Sequence, residues 1–213
     1  MRRGGPLSFK PMPGRVSCLY IGDIAAGIPG GGSCDWSSGI PDVEMHVFRW
    51  TQARGLWEQL QFALQDVRAN SRVSAVMAVG TGCAAALALA CQLPVERVVL
   101  VGPVPPVRTR GETRPEDDGL LRTVRRLAAY ARRNLTLCVS DMLVVGEGER
   151  SLERAFGHPV NCRVSRLALA GKTAKELYTI REFAVKEAIS GFLHAAETPK
   201  PLAEISEMCI IYG

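Results

Sequence analysis

The residue with the clearest potential for covalent chemistry is Cys83, in the segment Gly80-Thr81-Gly82-Cys83 that follows a buried apolar run. The alanine- and leucine-rich residues 83–91 predict a helix that begins at this cysteine. A thiolate is a strong nucleophile, and the dipole at the start of a helix can lower the pKa of a thiol. The spacing therefore raises the hypothesis of a hydrolase, thioesterase or acyl-transfer enzyme that uses Cys83. A buried packing residue is the alternative, since most cysteines in such helices are packed against a core.

Other residue types that do chemistry are sparse. The three histidines, His46, His158 and His194, do not stand at ligand spacing with one another or with a cysteine, so we expect no metal site. The glycine-rich residues 27–36 lack the glycine and lysine pattern of a phosphate-binding loop and predict a surface loop beside a pocket. We expect no cofactor.

Composition predicts one globular domain. The chain has 213 residues, of which 47% are hydrophobic and 22% are charged, and this length suits a single core. Several arginines contribute to the net charge of +5, but aromatic residues make up only 6% of the chain. Because nucleic-acid surfaces combine basic residues with aromatic platforms or a known module, we expect a solvated arginine face and no nucleic-acid binding.

The sequence predicts a cytoplasmic protein that does not interact with membranes. No apolar run approaches the roughly 18–20 residues that a membrane helix needs. The first residues, MRRGGPLSFKPMPG, carry arginines without the apolar segment of a secretory signal. The seven cysteines are irregularly spaced, which is typical of reduced thiols.

Strand-like and helix-like segments alternate along the chain, which predicts an α/β fold with a mostly parallel sheet and helices on both faces. We expect strands over residues 16–21, 43–50, 74–79, 97–101, 142–145 and 163–170, and helices over residues 56–67, 83–91, 119–133, 151–156 and 175–194. Residues 104–118 are predicted to form a loop. The predicted domain covers residues 16–196, between an N-terminal extension (1–15) and a C-terminal tail (197–213).

The segment of residues 76–103, VMAVGTGCAAALALACQLPVERVVLVGP, resembles the strand, nucleophile elbow, helix and strand of α/β-hydrolases. In that family a G-x-S-x-G motif mounts a serine on a strained turn. In the register set by the downstream residues, Gly80 matches the first glycine, Thr81 the variable residue and Gly82 the nucleophile. The resemblance implies an α/β-hydrolase-like core without a cap domain.

The resemblance also implies positions for the other parts of a hydrolase site. The catalytic acid would fall at Glu149, or at Glu147, within LVVGEGERS. The histidine loop contains no histidine, and Lys175 is the closest match within residues 172–175. Gly22 and Asp23 correspond to the oxyanion-hole loop. The predicted pocket is thus lined by Gly22, Asp23, Gly80, Thr81 and Gly82.

The missing serine and histidine predict a non-catalytic binding or partner subunit, a pseudoenzyme, because those two residues act as one unit in hydrolysis. An active enzyme that uses Cys83 is the alternative, although no histidine lies in the expected loop. A third hypothesis is a docking or carrier protein that acts through its C-terminal tail, which ends in the apolar run CIIYG. A protein partner, a homo-oligomer or a small-molecule ligand fits these hypotheses.

Overall fold

The computed structural model contains one six-stranded sheet in which every pairing is parallel. It describes residues 16–24, 36, 38–49, 55–70, 73–92, 95–103, 115–133, 139–146, 156, 162–168 and 174–195. The strands are β1 (Val16–Ile21), β2 (Val43–Val47), β3 (Val73–Val79), β4 (Val95–Val101), β5 (Val139–Gly146) and β6 (Arg163–Ala168), in the order β2-β1-β3-β4-β5-β6. The predicted parallel α/β sheet is confirmed.

In the described part of the chain, α1 (Leu56–Asn70) connects β2 to β3, α2 (Gly82–Ala90) connects β3 to β4, α3 (Pro115–Arg133) lies between β4 and β5, and α4 (Ala174–His194) follows β6. Helix α3 begins four residues before the predicted start, so the expected loop ends earlier. Pro115 suits a first helical position, because proline has no N–H to leave unbonded there. Strand β2 ends at Val47 rather than at residue 50. Of the predicted helix over residues 151–156, only Phe156 lies within the described residues, and it is helical.

The two faces of the sheet bury separate clusters of apolar side chains. Because side chains alternate along a strand, Leu19 and Ile21 point to one face and Cys18 and Tyr20 to the other. Helices α1, α2 and α3 cover the first face, and α4 covers the second together with Trp36 and Ile40. This arrangement confirms the prediction that helices cover both faces.

Helix α2 is the most deeply buried helix among the described residues. Every residue from Gly82 to Ala90 is buried, and the helix packs against α1, α3 and the strands β1, β3 and β4. Its run of alanines explains the fit, because small side chains let neighbouring backbones come close without leaving voids. The start of α2 is consequently held in a fixed position above the sheet.

The end of α4 is fastened to the body by polar contacts. The guanidinium of the half-buried Arg97, on β4, donates hydrogen bonds to the carbonyl oxygens of Leu193 and Ala195. The Ser190 hydroxyl donates to the carbonyl of Pro41 over 3.0 Å. Since the last carbonyls of a helix have no partner within the helix, Arg97 supplies partners that α4 would otherwise lack.

The outer face of α3 carries the expected arginines, with Arg122, Arg126, Arg132 and Arg133 exposed to solvent. Among the described residues, no helix is long and apolar enough to cross a membrane. The predicted N-terminal extension (1–15) and C-terminal tail (197–213) lie outside the described residues.

Substituting Arg97 by methionine should destabilise the protein, because the methionine keeps much of the apolar stem but loses both hydrogen bonds to α4. Hydrogen bonds from a charged donor contribute about 1.5–3 kcal/mol each, so the free energy of unfolding should fall by about 2 kcal/mol or more. Denaturant unfolding measures this change. The matched control is Arg126→Met on the exposed face of α3, which should change the value by less than about 0.5 kcal/mol. Equal effects of the two substitutions would contradict the role given to Arg97.

Candidate functional site

The turns after β1 and β3 lie side by side at the carboxyl edge of the sheet. The two strands pair in parallel, with Ile21 opposite Ala78, so both turns emerge in the same direction. Gly22 and Asp23 follow β1, and Gly80 and Thr81 follow β3. Ligands of parallel α/β folds bind at this edge, which makes the two turns the candidate site.

The chain bends sharply between β3 and α2, and the bend is made by Gly80. This residue has a φ of +56°, a conformation that side chains other than glycine adopt at a cost. Its N–H donates to the carbonyl of Val101 over 3.0 Å, so the pairing of β3 with β4 continues into the bend. The result is a strained strand-to-helix turn whose backbone is fixed on both sides.

Gly82, the first residue of α2, lies directly against the end of β1. A Cβ atom added at Gly82 would overlap the carbonyl oxygen of Gly22 and lie 2.9 Å from that of Ile21. Real Cβ atoms essentially never come that close to another atom. The absence of a side chain at Gly82 is therefore what lets α2 begin so near the sheet.

Asp23 connects the two turns through its carboxylate. Its Oδ1 atom accepts a hydrogen bond from the Thr81 hydroxyl over 2.5 Å and another from the Thr81 N–H over 3.3 Å. A Cβ atom at Gly80 would lie 2.6 Å from Asp23 Oδ2. The carboxylate thus fills the space into which a side chain at the bend would project.

Solved structures with similar folds are esterases and related enzymes. An esterase domain from a Rhodothermus marinus protein superimposes with a TM-score of 0.52 at 14% identity, covering 86% of this chain and 89% of that chain. An enol-lactonase from Burkholderia xenovorans superimposes with a TM-score of 0.51 at 13% identity, covering 85% of this chain and 92% of that chain. The chain has the α/β-hydrolase fold. No protein-family model and no curated protein sequence matches it.

α/β-Hydrolases carry the nucleophile on the strained turn between strand and helix, and the residue on that turn in this chain is Gly80. The register expected from the sequence places Gly82, two residues later, at the nucleophile position. In the structure Gly80 has the positive φ, whereas Gly82 begins the helix and makes the close approach, and the match of either glycine to a nucleophile stays a prediction. With Gly80 in that position, the five-residue motif would cover Ala78-Val79-Gly80-Thr81-Gly82, with small residues at its first and last positions. Under either register the residue at the nucleophile position has no side chain.

The oxyanion hole of the α/β-hydrolase fold is made by the N–H of the residue after the nucleophile and an N–H from the turn after the neighbouring strand. The first of these donors corresponds to the N–H of Thr81, which here bonds to Asp23. Asp23 itself stands in the second turn. Sequence reasoning assigned Asp23 to this loop but did not predict that its carboxylate would take up the donor. The sequence did contain a signal for this contact: one predicted strand is followed by Gly22-Asp23 and a neighbouring one by Gly80-Thr81-Gly82.

The thiol of Cys83 lies inside the core, against the last residues of β3 and β4. The side chain is fully buried, and its sulfur donates weak hydrogen bonds to the carbonyls of Ala78 and Val101. Burial, and secondarily the nearby charge of Asp23, raise the pKa of this thiol far above its ordinary value. Burial thus acts against the lowering of the pKa that the catalytic hypothesis needs, and the buried position fits the alternative of a packing residue.

The side chains of the predicted acid and base lie outside the described part of the chain. Glu147 and Glu149 lie outside the described residues, directly beyond the end of β5. Lys175 is in the first turn of α4, and its side chain is outside the described part. These assignments, like those of the pocket residues, remain predictions.

A serine–histidine hydrogen bond exists elsewhere, between β1 and β2. The Ser17 hydroxyl lies 2.8 Å from His46 Nε2, near the opposite end of β1 from the bend. Glu44 approaches the same nitrogen, at 4.0 Å, whereas the acid of a catalytic triad binds the other nitrogen of the ring. Ser17 is also buried, with 5% of its surface exposed. The arrangement fits a structural role for His46 rather than nucleophilic catalysis.

No group of three or more metal-ligating side chains comes together in the part of the chain that the structure describes. The structure joins none of the described cysteines, Cys18, Cys83, Cys91 and Cys162, in a disulfide bond. Cys18 is also fully buried, which raises its pKa to about 12.

Adding a methyl group at either glycine of the bend should destabilise the protein. Gly80→Ala forces alanine into a left-handed conformation, which alone costs about 1–2 kcal/mol, and places its Cβ against Asp23. Gly82→Ala places a Cβ on the Gly22 carbonyl. Each should lower the free energy of unfolding by more than about 2 kcal/mol in denaturant titrations. Gly191→Ala in α4, where a Cβ meets nothing within 4 Å, should instead stabilise by up to about 1 kcal/mol. If Gly82→Ala behaved like Gly191→Ala, the close approach of α2 to β1 would be wrong.

Cys83 should be unreactive in the folded protein. Because its pKa is raised, the thiol stays protonated at pH 8, and burial also blocks reagents. Alkylation by iodoacetamide, followed peptide by peptide with mass spectrometry, should be much slower at Cys83 than at the half-buried Cys91, and the difference should vanish in denaturant. Above pH 9.0, the ordinary value, the unfolded chain releases a proton that the folded chain keeps, so stability should fall with rising pH. Rapid labelling of Cys83 in native protein would contradict this account.

Proposed function

We propose that this chain is a non-catalytic binding protein or partner subunit built on the α/β-hydrolase fold. The observation that carries the proposal is that the Asp23 carboxylate lies where a side chain at Gly80 would project from the bend. Gly80 offers no attacking group, and the N–H that would stabilise an oxyanion already bonds to Asp23. Both central elements of ester hydrolysis are thus replaced by a contact within the protein.

The size of the expected loss supports a binding role over slow hydrolysis. In a serine hydrolase, removal of the nucleophile or of its base costs several orders of magnitude in rate. An oxyanion-hole donor contributes a further 100- to 1000-fold or so. Because Gly80 has no nucleophilic side chain and the Thr81 N–H already bonds to Asp23, we expect this turn to contribute little to ester hydrolysis.

The Cys83 alternative has little support in the described geometry. A cysteine nucleophile needs a base within hydrogen-bond reach and a route for the substrate. Cys83 instead bonds to two backbone carbonyls from inside the core. The hypothesis of a docking or carrier protein concerns the C-terminal tail, which lies outside the described residues.

The proposal predicts no enzymatic turnover of an activated ester or thioester. Purified protein incubated with p-nitrophenyl acetate and with an acetyl thioester should hydrolyse them no faster than the same chain unfolded in denaturant and diluted into the assay. Asp23→Asn and Cys83→Ala should leave this background unchanged, because neither side chain acts on the substrate.

Saturable hydrolysis would contradict the proposal, and the variants identify its source. Activity lost in Cys83→Ala but retained in Asp23→Asn would establish thiol catalysis. The opposite pattern would establish chemistry at the carboxylate. Activity retained in both would point to a nucleophile elsewhere in the chain.

A further inference from the structure

Strand β2 lies at one edge of the sheet, and among the described residues it pairs only with β1. Two hydrogen bonds at its ends show which of its residues bond to β1. The carbonyl of Asp42, just before the strand, accepts from the N–H of Val16 over 3.2 Å. The N–H of Phe48, just after the strand, donates to the carbonyl of Tyr20 over 2.8 Å. The residues with even numbers therefore direct their backbone groups toward β1.

The backbone groups of three β2 residues point away from β1. Successive residues of a strand direct their N–H and C=O groups to opposite sides, so Glu44 and His46 bond to β1. Val43, Met45 and Val47 direct theirs outward, to the open edge of the described sheet. An edge of this kind is a template on which a further strand can form.

The side chains of the same three residues form an apolar row that the described structure covers only in part. Val43 and Met45 pack against the apolar cluster beneath α4 but are half-buried, and Val47 is 46% exposed. Edges left open to solvent are usually protected by charged side chains or proline, and this row has neither. At the opposite edge, β6 carries the exposed Arg163 and Arg166. Of the two edges, β2 is the one that suits an apolar strand.

The last turn of α4 brings the chain to the start of β2. The Nε2 atom of His194 lies 3.1 Å from the carbonyl oxygen of Asp42. Residues 196–213 follow this turn and contain the apolar run MCIIY at 208–212. The twelve residues 196–207 span up to about 40 Å when extended, whereas a five-residue strand is roughly 16 Å long. The run can therefore reach every position along the outer side of β2.

We propose that residues 208–212 of this chain pair with the outer side of β2 as an added strand. Isoleucine and tyrosine are frequent in strands. In an extended segment Met208, Ile210 and Tyr212 share one face and continue the apolar row of β2. The pairing gives the outward N–H and C=O groups their partners, and it removes from solvent both an open edge and an apolar run that would promote aggregation. This inference does not depend on the proposed function.

Amide hydrogen exchange, followed by NMR on the full chain, tests the pairing residue by residue. Exchange requires a hydrogen bond to open, so the outward N–H of Met45 should exchange about tenfold or more slowly in the unmodified chain than in Ile210→Asp. The new carboxylate opposes burial of the run. The N–H of His46 bonds to β1 and should stay protected in both proteins, which also shows that the sheet remains folded. Thr198→Asp adds the same charge outside the run, and as the matched control it should leave both N–H groups unchanged.

Cross-linking identifies the chain that supplies the strand. Val47→Cys places a thiol at the carboxyl end of β2, and a bismaleimide with a reach of roughly 16 Å, the length of β2, should join it to Cys209 of the same chain. The matched control is Ala168→Cys at the end of β6. This position lies about 29 Å from the added strand, at six strand spacings, and should not be joined to Cys209. Mass spectrometry identifies the linked peptides, and gel electrophoresis separates links within one chain from links between two.

Three results would overturn the inference. Rapid exchange of the Met45 N–H in the unmodified chain would mean that the outer side of β2 is unpaired. Slow exchange that persists in Ile210→Asp would assign the cover to another segment or to β2 of a second copy. Links between Val47→Cys and Cys209 that form only between two chains would assign the added strand to a second copy.

Discussion

The close approach of the start of α2 to the end of β1 sets the geometry of the whole carboxyl edge. It brings Gly82 against the carbonyl oxygens of Gly22 and Ile21, at a distance that no other residue type permits. With α2 held there, the connection from β3 must reverse within two residues, and the positive φ of Gly80 accomplishes this. The same approach carries Thr81 to the turn after β1, where its two donors meet Asp23. The contact between Gly82 and Gly22 thus brings the two donors of Thr81 to the carboxylate of Asp23.

The burial of α2 makes this approach rigid rather than incidental. The helix has no exposed residue, and neighbours on the sheet and in α1 and α3 surround it. A shift of its first turn would disturb contacts along its full length, since close-packed interiors do not deform freely. The alanines of α2 and the glycines of the bend therefore act together to hold the start of α2 against the end of β1.

The architecture was predictable because its signals are local. Apolar runs such as residues 97–101 predicted buried strands, and alternation with helical segments predicted the parallel sheet. The sequence predicts the start of α3 four residues too late, because the proline and charged residues 115–118 are typical of a loop, although proline and acidic residues also favour a helix start. The sequence does not show which glycine forms the bend and which begins α2, because Gly80 and Gly82 are the same residue type. Only φ and the distance to β1 distinguish them.

Contacts between distant segments were beyond the reach of sequence patterns. Asp23 and Thr81 are 58 positions apart, and no periodicity relates them. The direction of the Cys83 side chain depends on which face of α2 meets the sheet, and a helix buried on all sides has no polar face to indicate it. Burial of this thiol raises its pKa, and sequence patterns do not show that burial.

A hydrolase site and this site differ in when their hydrogen-bond donors bind an acceptor. Catalytic sites keep donors oriented toward a transition state, so part of their hydrogen-bonding capacity is fulfilled only during the reaction, at a cost to the stability of the resting protein. Here the Asp23 carboxylate fulfils it permanently, through the N–H and hydroxyl of Thr81. Under the proposed function, the strained bend is retained because it orients a carboxylate, and the bend stabilises the folded chain through that contact. Selection on such a site would act on charge and shape at Asp23 rather than on a nucleophile at Gly80.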